Sequence, residues 1–261
     1  MRLVPSALIV AALACPLAHA ATSAPLRLCF EDAPQAPWSM PDGSGLNFDL
    51  LKRVEKLTGE HFLIVPRPWK RCIEETRNGV MDGIVSAADS PERRSFTLPP
   101  MLPSGAPDNA KAIYEDQAIV YLRVGSGAAW DGKTFINPGR GVLAQRGYLL
   151  VDVLRARGEQ VLDSIKTGEE GLRILAAGGA DVAVLLGRSA EEMARKDPRY
   201  RERVEMAKLP FFTFSFHLLI NKKTYEGNPK RIEAIWNAIR TVRESADYRK
   251  LESVAQRNAS G

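Results

Sequence analysis

The stretch from Pro66 to Pro100, PRPWKRCIEETRNGVMDGIVSAADSPERRSFTLPP, constrains the fold more than any other part of the chain. It predicts a helix over residues 69–77 that stops at Asn78-Gly79, because both residues accept left-handed backbone. A short buried strand over residues 81–85 follows. The flanking segments continue the pattern, with strands at 26–30 and 62–65 on either side of an amphipathic helix over 47–58. Such alternation favours an α/β fold with a mostly parallel sheet.

The loop after the strand at 81–85 is the first candidate site. It begins at Ser86 and lies at a strand C-terminus, where open α/β sheets bind their ligands. Ser90-Pro91-Glu92-Arg93 then has the composition of a helix start, whose free backbone N–H groups favour an anion. Arg93 adds a planar, permanently charged group that can bind a carboxylate through two hydrogen bonds.

These motifs, in this order, resemble the family 3 extracellular solute-binding proteins. The pattern is W-x-R at Trp69, G-x-x-D-G at Gly79, then S-P-E-R at Ser90, followed by Phe96 and Pro99. Members of that family are bacterial periplasmic receptors that deliver polar amino acids and similar solutes to ABC transporters. In the family, the arginine of this loop binds the α-carboxylate of the ligand, and Arg93 is the matching position.

The resemblance implies the type II periplasmic-binding-protein fold. This is a two-lobed α/β architecture with two mixed, mostly parallel sheets, flanking helices and two crossover strands. We expect residues 25–120 together with 215–261 to form the first lobe, and residues 121–214 to form the second. The apolar run over 112–124 is the outgoing crossover, with a hinge near its end, and the alternating run over 211–221 is the returning one.

The resemblance also implies further ligand-binding residues. An aromatic side chain in the loop after the first strand often stacks on the ligand, and Trp38 is the candidate, although it could equally cover the loop. From the second lobe, the motif of strand, glycine turn and helix start matches Arg146, Gly147 and Tyr148. Two further candidates come from the residues themselves: Trp69 and Arg71 open the 69–77 helix, where cations in the first turn oppose the helix dipole and so hint at a site. Asp32, directly after the first strand, is the last first-lobe candidate.

One position departs from the family pattern. Amino-acid receptors of this kind usually have an aspartate near the end of the second-lobe strand, and here the position falls on Leu186. Leucine cannot pair with an ammonium group, and an unpaired buried charge is strongly unfavourable. Either Glu31 or Asp32 supplies the charge, or the ligand has no ammonium there. Arg188 could then be a second cation for an anionic ligand, or simply a solvated residue at a helix start.

The N-terminus predicts export. Arg2, the apolar run that follows and the small residues at 17–20 have the layout of a secretory signal over residues 1–20. We therefore expect a soluble protein in the periplasm. Cys15 offers an alternative as a lipoprotein anchor, but the residues before it fit that motif poorly.

An oxidising compartment makes Cys29 and Cys72 a candidate disulfide, with two buried free thiols as the alternative. The histidines show no spacing typical of metal ligands, so we expect no metal and no cofactor. The formal net charge is +5, and no block of five like charges occurs. Nucleic-acid binding is therefore not expected.

Three functions remain open at this level. The first is a monomeric binding protein that captures a small polar or anionic solute, such as an amino acid or carboxylate, for the permease of an ABC transporter. The second is a periplasmic enzyme on the same scaffold, resembling dehydratases that act on prephenate, with an acidic residue as general acid. The third is a sensory receptor domain that serves a membrane signalling protein. We expect the first, a protein without catalytic activity.

Overall fold

The structure is a computed structural model, and it describes residues 24–258. The predicted signal segment over residues 1–20, including Cys15, lies outside the described residues. Within the described part, no helix combines the length and the apolar character needed to cross a membrane.

Strands and helices alternate along the chain. The strands are β1 (Leu26–Glu31), β2 (Phe62–Arg67), β3 (Gly83–Ala88), β4 (Thr97–Leu98), β5 (Tyr114–Arg123), β6 (Ala129–Trp130), β7 (Phe135–Ile136), β8 (Val142–Gln145), β9 (Val161–Ile165), β10 (Val182–Leu185), β11 (Val204–Met206) and β12 (Phe212–Asn221). The helices are α1 (Leu46–Thr58), α2 (Trp69–Arg77), α3 (Leu149–Ala156), α4 (Gly168–Ala176), α5 (Arg188–Lys196), α6 (Pro198–Arg201), α7 (Lys222–Gly227), α8 (Pro229–Glu244) and α9 (Ala246–Asn258). Short 3-10 turns occur at Arg93–Ser95 and Asn109–Lys111.

Two parallel groups of strands are joined by a long antiparallel pair. The strand order is β2-β1-β3-β12-β5-β10-β8-β9, with β4 beside β12 and β11 beside β5. Strands β1, β2 and β3 run parallel, as do β8, β9 and β10. The connection between the two groups is antiparallel, through β12 and β5.

Strand β5 changes its partner part-way along its length. Residues 114–118 pair with β12, and residues 119–122 pair with β10. The two groups of strands therefore meet at Ala118 and Ile119, a little before the hinge that we predicted from the sequence. The lobe boundaries given above stay a prediction.

Separate apolar clusters stabilise the two groups. In the first, α1 and α8 pack on the sheet through Leu28, Leu50, Trp236 and Ile239, all essentially buried. The Trp236 indole N–H donates to the Leu218 carbonyl oxygen at 2.9 Å. In the second group, β8 and β10 are covered by α3 and α4 through the clusters around Val184 and Leu172. The apolar face of α8 is the buried one.

Several predicted boundaries differ from the structure. The strand expected at 81–85 is β3, which begins two residues later because Asp82 is held by the backbone N–H and guanidinium of Arg27. The helix start expected at 90–93 gives only one 3-10 turn, because the chain leaves at once to pair β4 with β12.

The disulfide between Cys29 and Cys72 is confirmed, with their Cα atoms 5.7 Å apart. It joins the middle of β1 to the first turn of α2, and both residues are fully buried. Met81, Ile84 and Leu219 pack around it. The bridge thereby fixes α2 and the aromatic residue at its start against the central strands.

Candidate functional site

A cleft of about 1110 Å³, including open space at its mouth, lies between the two groups of strands. Its floor is formed by the C-terminal ends of β1 and β3 and by the start of β5. The facing wall comes from the N-terminal ends of α3 and α4. The polar or charged residues that line it include Glu31, Gln35, Ser86, Arg93, Asp116, Gln145, Tyr148, Lys166, Thr167 and Glu169.

Arg93 is the buried cation of this cleft, with only 6% of its surface exposed. Its Nη1 donates to the Ala88 carbonyl oxygen at 2.6 Å, and its guanidinium carbon lies 5.1 Å from the centroid of the Trp69 ring. Burial lowers its pKa. Among residues 24–258, no carboxylate forms an ion pair with it. A buried guanidinium without an anionic partner is a site for an anion.

Ser86 stands on an irregular part of β3. Between Ile84 and Ala87, β3 has two residues where β12 has one, Leu218, which is a β-bulge. Ser86 has a φ of 65°, and its hydroxyl is buried without a hydrogen bond of ordinary geometry, although it lies beside the Tyr114 hydroxyl. Such a strained residue with an unused polar group indicates a functional position.

A stack of three aromatic rings forms one wall of the cleft. The rings of Trp38 and Tyr114 are nearly parallel and stacked, with centroids 4.0 Å apart, and Tyr114 stacks on Phe216 at 4.7 Å. Trp38 is only 2% exposed, so the stack covers most of its surface. Burial raises the pKa of Tyr114 far above its ordinary range, so its hydroxyl is neutral. Trp38 therefore lies in the wall, with one face already occupied by Tyr114.

Hydrogen bonds in two places join the two walls of the cleft directly. The Tyr148 hydroxyl donates to Glu31 Oε2 at 2.6 Å, and Gln35 Nε2 donates to the same oxygen at 2.6 Å and to the Tyr148 oxygen at 2.9 Å. The Trp69 indole N–H donates to the Gly147 carbonyl oxygen at 2.9 Å. These contacts join segments far apart in sequence across the mouth of the cleft.

The Glu31 carboxyl has an unusual pKa. Burial raises it to about 7, although the hydrogen bonds from Tyr148 and Gln35 lower it and the nearby Lys166 does the same. The phenol of Tyr148 is likewise raised well above its ordinary value, first by burial and then by Glu31. Glu31 can therefore gain or lose a proton near neutral pH.

The Gln145 carboxamide holds the backbone of Leu186 in the wall formed by the second group of strands. Its Nε2 donates to the Leu186 carbonyl oxygen at 2.8 Å, and its Oε1 accepts from the Leu186 N–H at 3.0 Å. Gln145 is only 3% exposed. Leu186 is itself among the residues that line the cleft. Thr167 caps α4 by accepting from the N–H of Glu170.

The structure brings together some of the predicted site residues and not others. Lining residues include Trp38, Trp69, Ser86, Arg93 and Tyr148. Gly147 contributes its carbonyl to the contact with Trp69.

The remaining candidates lie outside this cleft. Asp32 and Arg146 are exposed, and Arg71 is exposed and paired with Glu75 at 2.5 Å. Arg188 lines a separate depression behind β5 and β12. Reasoning from the sequence missed Gln35, Tyr114 and Phe216 as lining residues. Their positions depend on pairing between distant strands, and no local motif distinguishes them.

Comparison with known proteins defines the fold. No family model matches the sequence, and no curated protein matches it. Solved structures do match. A histidine kinase sensor domain with similarity to periplasmic binding proteins superposes with a TM-score of 0.68 at 16% identity, over 88% of this chain and 95% of the other.

The chain has the two-lobed fold of the periplasmic binding proteins. The GluR0 ligand-binding core from Nostoc punctiforme, in complex with L-glutamate, gives a TM-score of 0.65 at 18% identity, covering 88% of this chain and 99% of the other. The amino-acid ABC transporter substrate-binding protein AbpA from Streptococcus pneumoniae, bound to L-arginine, also gives 0.65, at 16% identity over 90% and 96%. The fold class predicted from the sequence is confirmed, and the resemblance to solute-binding proteins holds at the level of the fold.

Proposed function

We propose that this protein is a periplasmic solute-binding protein that captures a small carboxylate-bearing solute for an ABC transporter. The observation that supports this most directly is Arg93. Its guanidinium is buried in the cleft and has no anionic partner among the described residues. Burying such a charge without a partner is costly, and a bound carboxylate would remove that cost.

The remaining lining residues give the ligand its surroundings. Ser86 offers a hydroxyl that lies beside the Tyr114 hydroxyl, and Trp69 lies beside the guanidinium. Tyr148 and Gly147 close the opposite side through Glu31 and Trp69. Capture would consist of hinged closure of lobes formed by residues 25–120 with 215–261 and by residues 121–214, about the two crossover strands.

The experiment is calorimetry or thermal shift with a panel of amino acids, dicarboxylates and polyamines. Ligand binding raises the melting temperature by mass action. We expect carboxylates to bind the wild type, and we expect Arg93→Gln to weaken them by at least about a hundredfold, since a charge-assisted pair is lost. Arg94→Gln is the matched control, because Arg94 pairs with Asp89 outside the cleft. If wild type and Arg93→Gln bind carboxylates with equal affinity, the proposal is refuted.

A sensory role would use the same cleft. The structural similarity to a histidine kinase sensor domain is the observation in its favour. The membrane protein that the chain serves distinguishes transport from sensing. We expect the neighbouring genes to encode a permease. A kinase or cyclase encoded there would favour the sensory role. Size-exclusion chromatography tests the proposed monomer. N-terminal sequencing of the secreted protein tests cleavage after Ala20.

An enzyme on this scaffold is the second candidate. Glu31, with its pKa of about 7, lies in the cleft and could act as a general acid. Turnover of prephenate by the purified protein, abolished in Glu31→Gln, would establish it. We expect no turnover, because the carboxylate is already engaged by Tyr148 and Gln35.

A further inference from the structure

The surroundings of Arg93 restrict the ligand beyond its carboxylate, and this inference rests on the proposed function. The charges that act on the guanidinium are those of Glu92, Asp152 and Asp89. None of these three lines the cleft. Glu92 pairs with Arg77, Asp89 pairs with Arg94, and Asp152 is exposed on α3. A carboxylate bound by Arg93 therefore has no acidic side chain beside it inside the cleft.

Part of the wall that faces the Arg93 side of the cleft is apolar. Asp152 of α3 is close enough to act on the charge of Arg93, and Leu149, at the start of the same helix, lines the cleft. Leu186 lines the same side. The backbone N–H and carbonyl of Leu186 are already bonded to the Gln145 carboxamide. An ammonium group next to the bound carboxylate would meet these apolar side chains and no fixed anion.

The acidic residues that do line the cleft are engaged or lie at its rim. Glu31 accepts from Tyr148 and Gln35. Asp116 accepts from the Gln117 N–H at 2.9 Å and also interacts with the Gly187 N–H and with Arg188. Glu169 is exposed at the mouth. None of the three is among the charges that act on Arg93.

The body of the ligand would lie among aromatic side chains. Besides the Trp38–Tyr114–Phe216 stack, the cleft is lined by Phe30, Trp69, Tyr148 and Phe214. Trp69 and Tyr148 meet edge to face with centroids 6.4 Å apart, across the mouth. Pockets of this composition bury apolar and aromatic ligands, with a few polar groups that fix the orientation.

We infer that the cleft takes a carboxylate with an aromatic or bulky apolar body and no α-ammonium group, in preference to the corresponding amino acid. Arg93 binds the carboxylate, and the aromatic wall binds the body. The apolar residues Leu149 and Leu186 disfavour an ammonium group, because its hydration would be lost without a compensating anion.

The test compares ligands that differ only in the α-ammonium group. Calorimetry on the full purified protein would use 3-phenylpropionate against phenylalanine, indole-3-propionate against tryptophan, and 4-methylpentanoate against leucine. Glutarate and glutamate form a matching pair with a polar body and serve as the comparison for the apolar pairs. We expect each apolar acid to bind at least about tenfold more tightly than its amino acid, and the aromatic acids more tightly than glutarate.

A pair of variants at Leu186 tests whether the apolar wall causes the preference for acids over amino acids. Leu186→Asp places a carboxylate on the apolar wall, and Leu186→Asn is the neutral control of the same shape. We expect Leu186→Asp to shift the ratio of acid to amino-acid affinity towards the amino acid by at least about tenfold, and Leu186→Asn to shift it less.

The outcomes separate the inference from the proposed function. Amino acids that bind as tightly as their acids, and lose affinity in Arg93→Gln, would overturn the inference and leave the proposed function intact. Tighter binding of glutarate than of the aromatic acids would overturn it as well. If neither set binds at millimolar concentration, the inference and the proposed function both fail.

Discussion

Replacing Glu31 by glutamine should change how the stability of the protein depends on pH. The pKa of this carboxyl rises from an ordinary 4.5 to about 7 on folding, chiefly through burial. A raised carboxyl pKa means that the folded protein binds the proton more tightly than the unfolded chain does. Ionising Glu31 therefore destabilises the folded protein. This destabilisation is absent well below pH 4.5, grows as the pH rises, and reaches its full size above pH 7.

The size of the effect follows from linkage. At 1.36 kcal/mol per pH unit, ionising Glu31 in the folded protein costs about 3 kcal/mol. Between pH 5 and pH 8 the free energy of unfolding should fall by about 2.5 kcal/mol through this group alone. In Glu31→Gln the contribution is absent, while the glutamine oxygen can still accept from the Tyr148 hydroxyl.

The assay is urea unfolding followed by tryptophan fluorescence at both pH values. Relative to wild type, Glu31→Gln should gain about 2.5 kcal/mol between pH 5 and pH 8, or about 5–10 °C in melting temperature. Glu202→Gln is the control, because Glu202 is exposed and should leave the pH dependence unchanged. If wild type and Glu31→Gln lose stability in parallel over this range, the burial argument for Glu31 is refuted.

Three other perturbations test separate parts of the structure. Removing the disulfide in a Cys29→Ala/Cys72→Ala double variant should cost about 4 kcal/mol, because the bridge spans 43 residues; an unchanged urea midpoint relative to the oxidised wild type would contradict this. Gly45→Ala should cost about 1–3 kcal/mol, because Gly45 has a φ of 115° and a Cβ would lie 2.5 Å from the Trp38 carbonyl oxygen. Gly43→Ala, at a φ of 80° with nothing within 4 Å, is its control and should cost less in the same unfolding measurement. Tyr148→Phe removes a hydrogen bond that lowers the pKa of Glu31, so a carboxyl NMR titration should give a midpoint above that of wild type, and a lower midpoint would oppose it.

The architecture could be predicted because it depends on local patterns. The apolar faces of α1 and α8 repeat at helical spacing, and packing on a sheet is the way for such helices to bury those faces. The end of α2 was predicted from Asn78 and Gly79, which stop helices. Boundaries failed where a distant partner decided them, as at β3, whose start depends on the contact between Asp82 and Arg27.

The sequence alone determined the alternation of strands and helices, the cysteine pair, and the chemical types available to the site: a guanidinium at 93, aromatic rings at 38 and 69, and a leucine at 186. The alternation follows from spacing, which acts over a few residues, whereas the cysteine pair was expected from the oxidising compartment and the site positions from the resemblance to the solute-binding family. Only the tertiary structure decided which acidic residue of the pair at 31 and 32 faces the cleft. It also placed Tyr148 against Glu31, 117 residues away. Burial and electrostatic interaction depend on distances in space, and strand pairing between distant segments sets those distances.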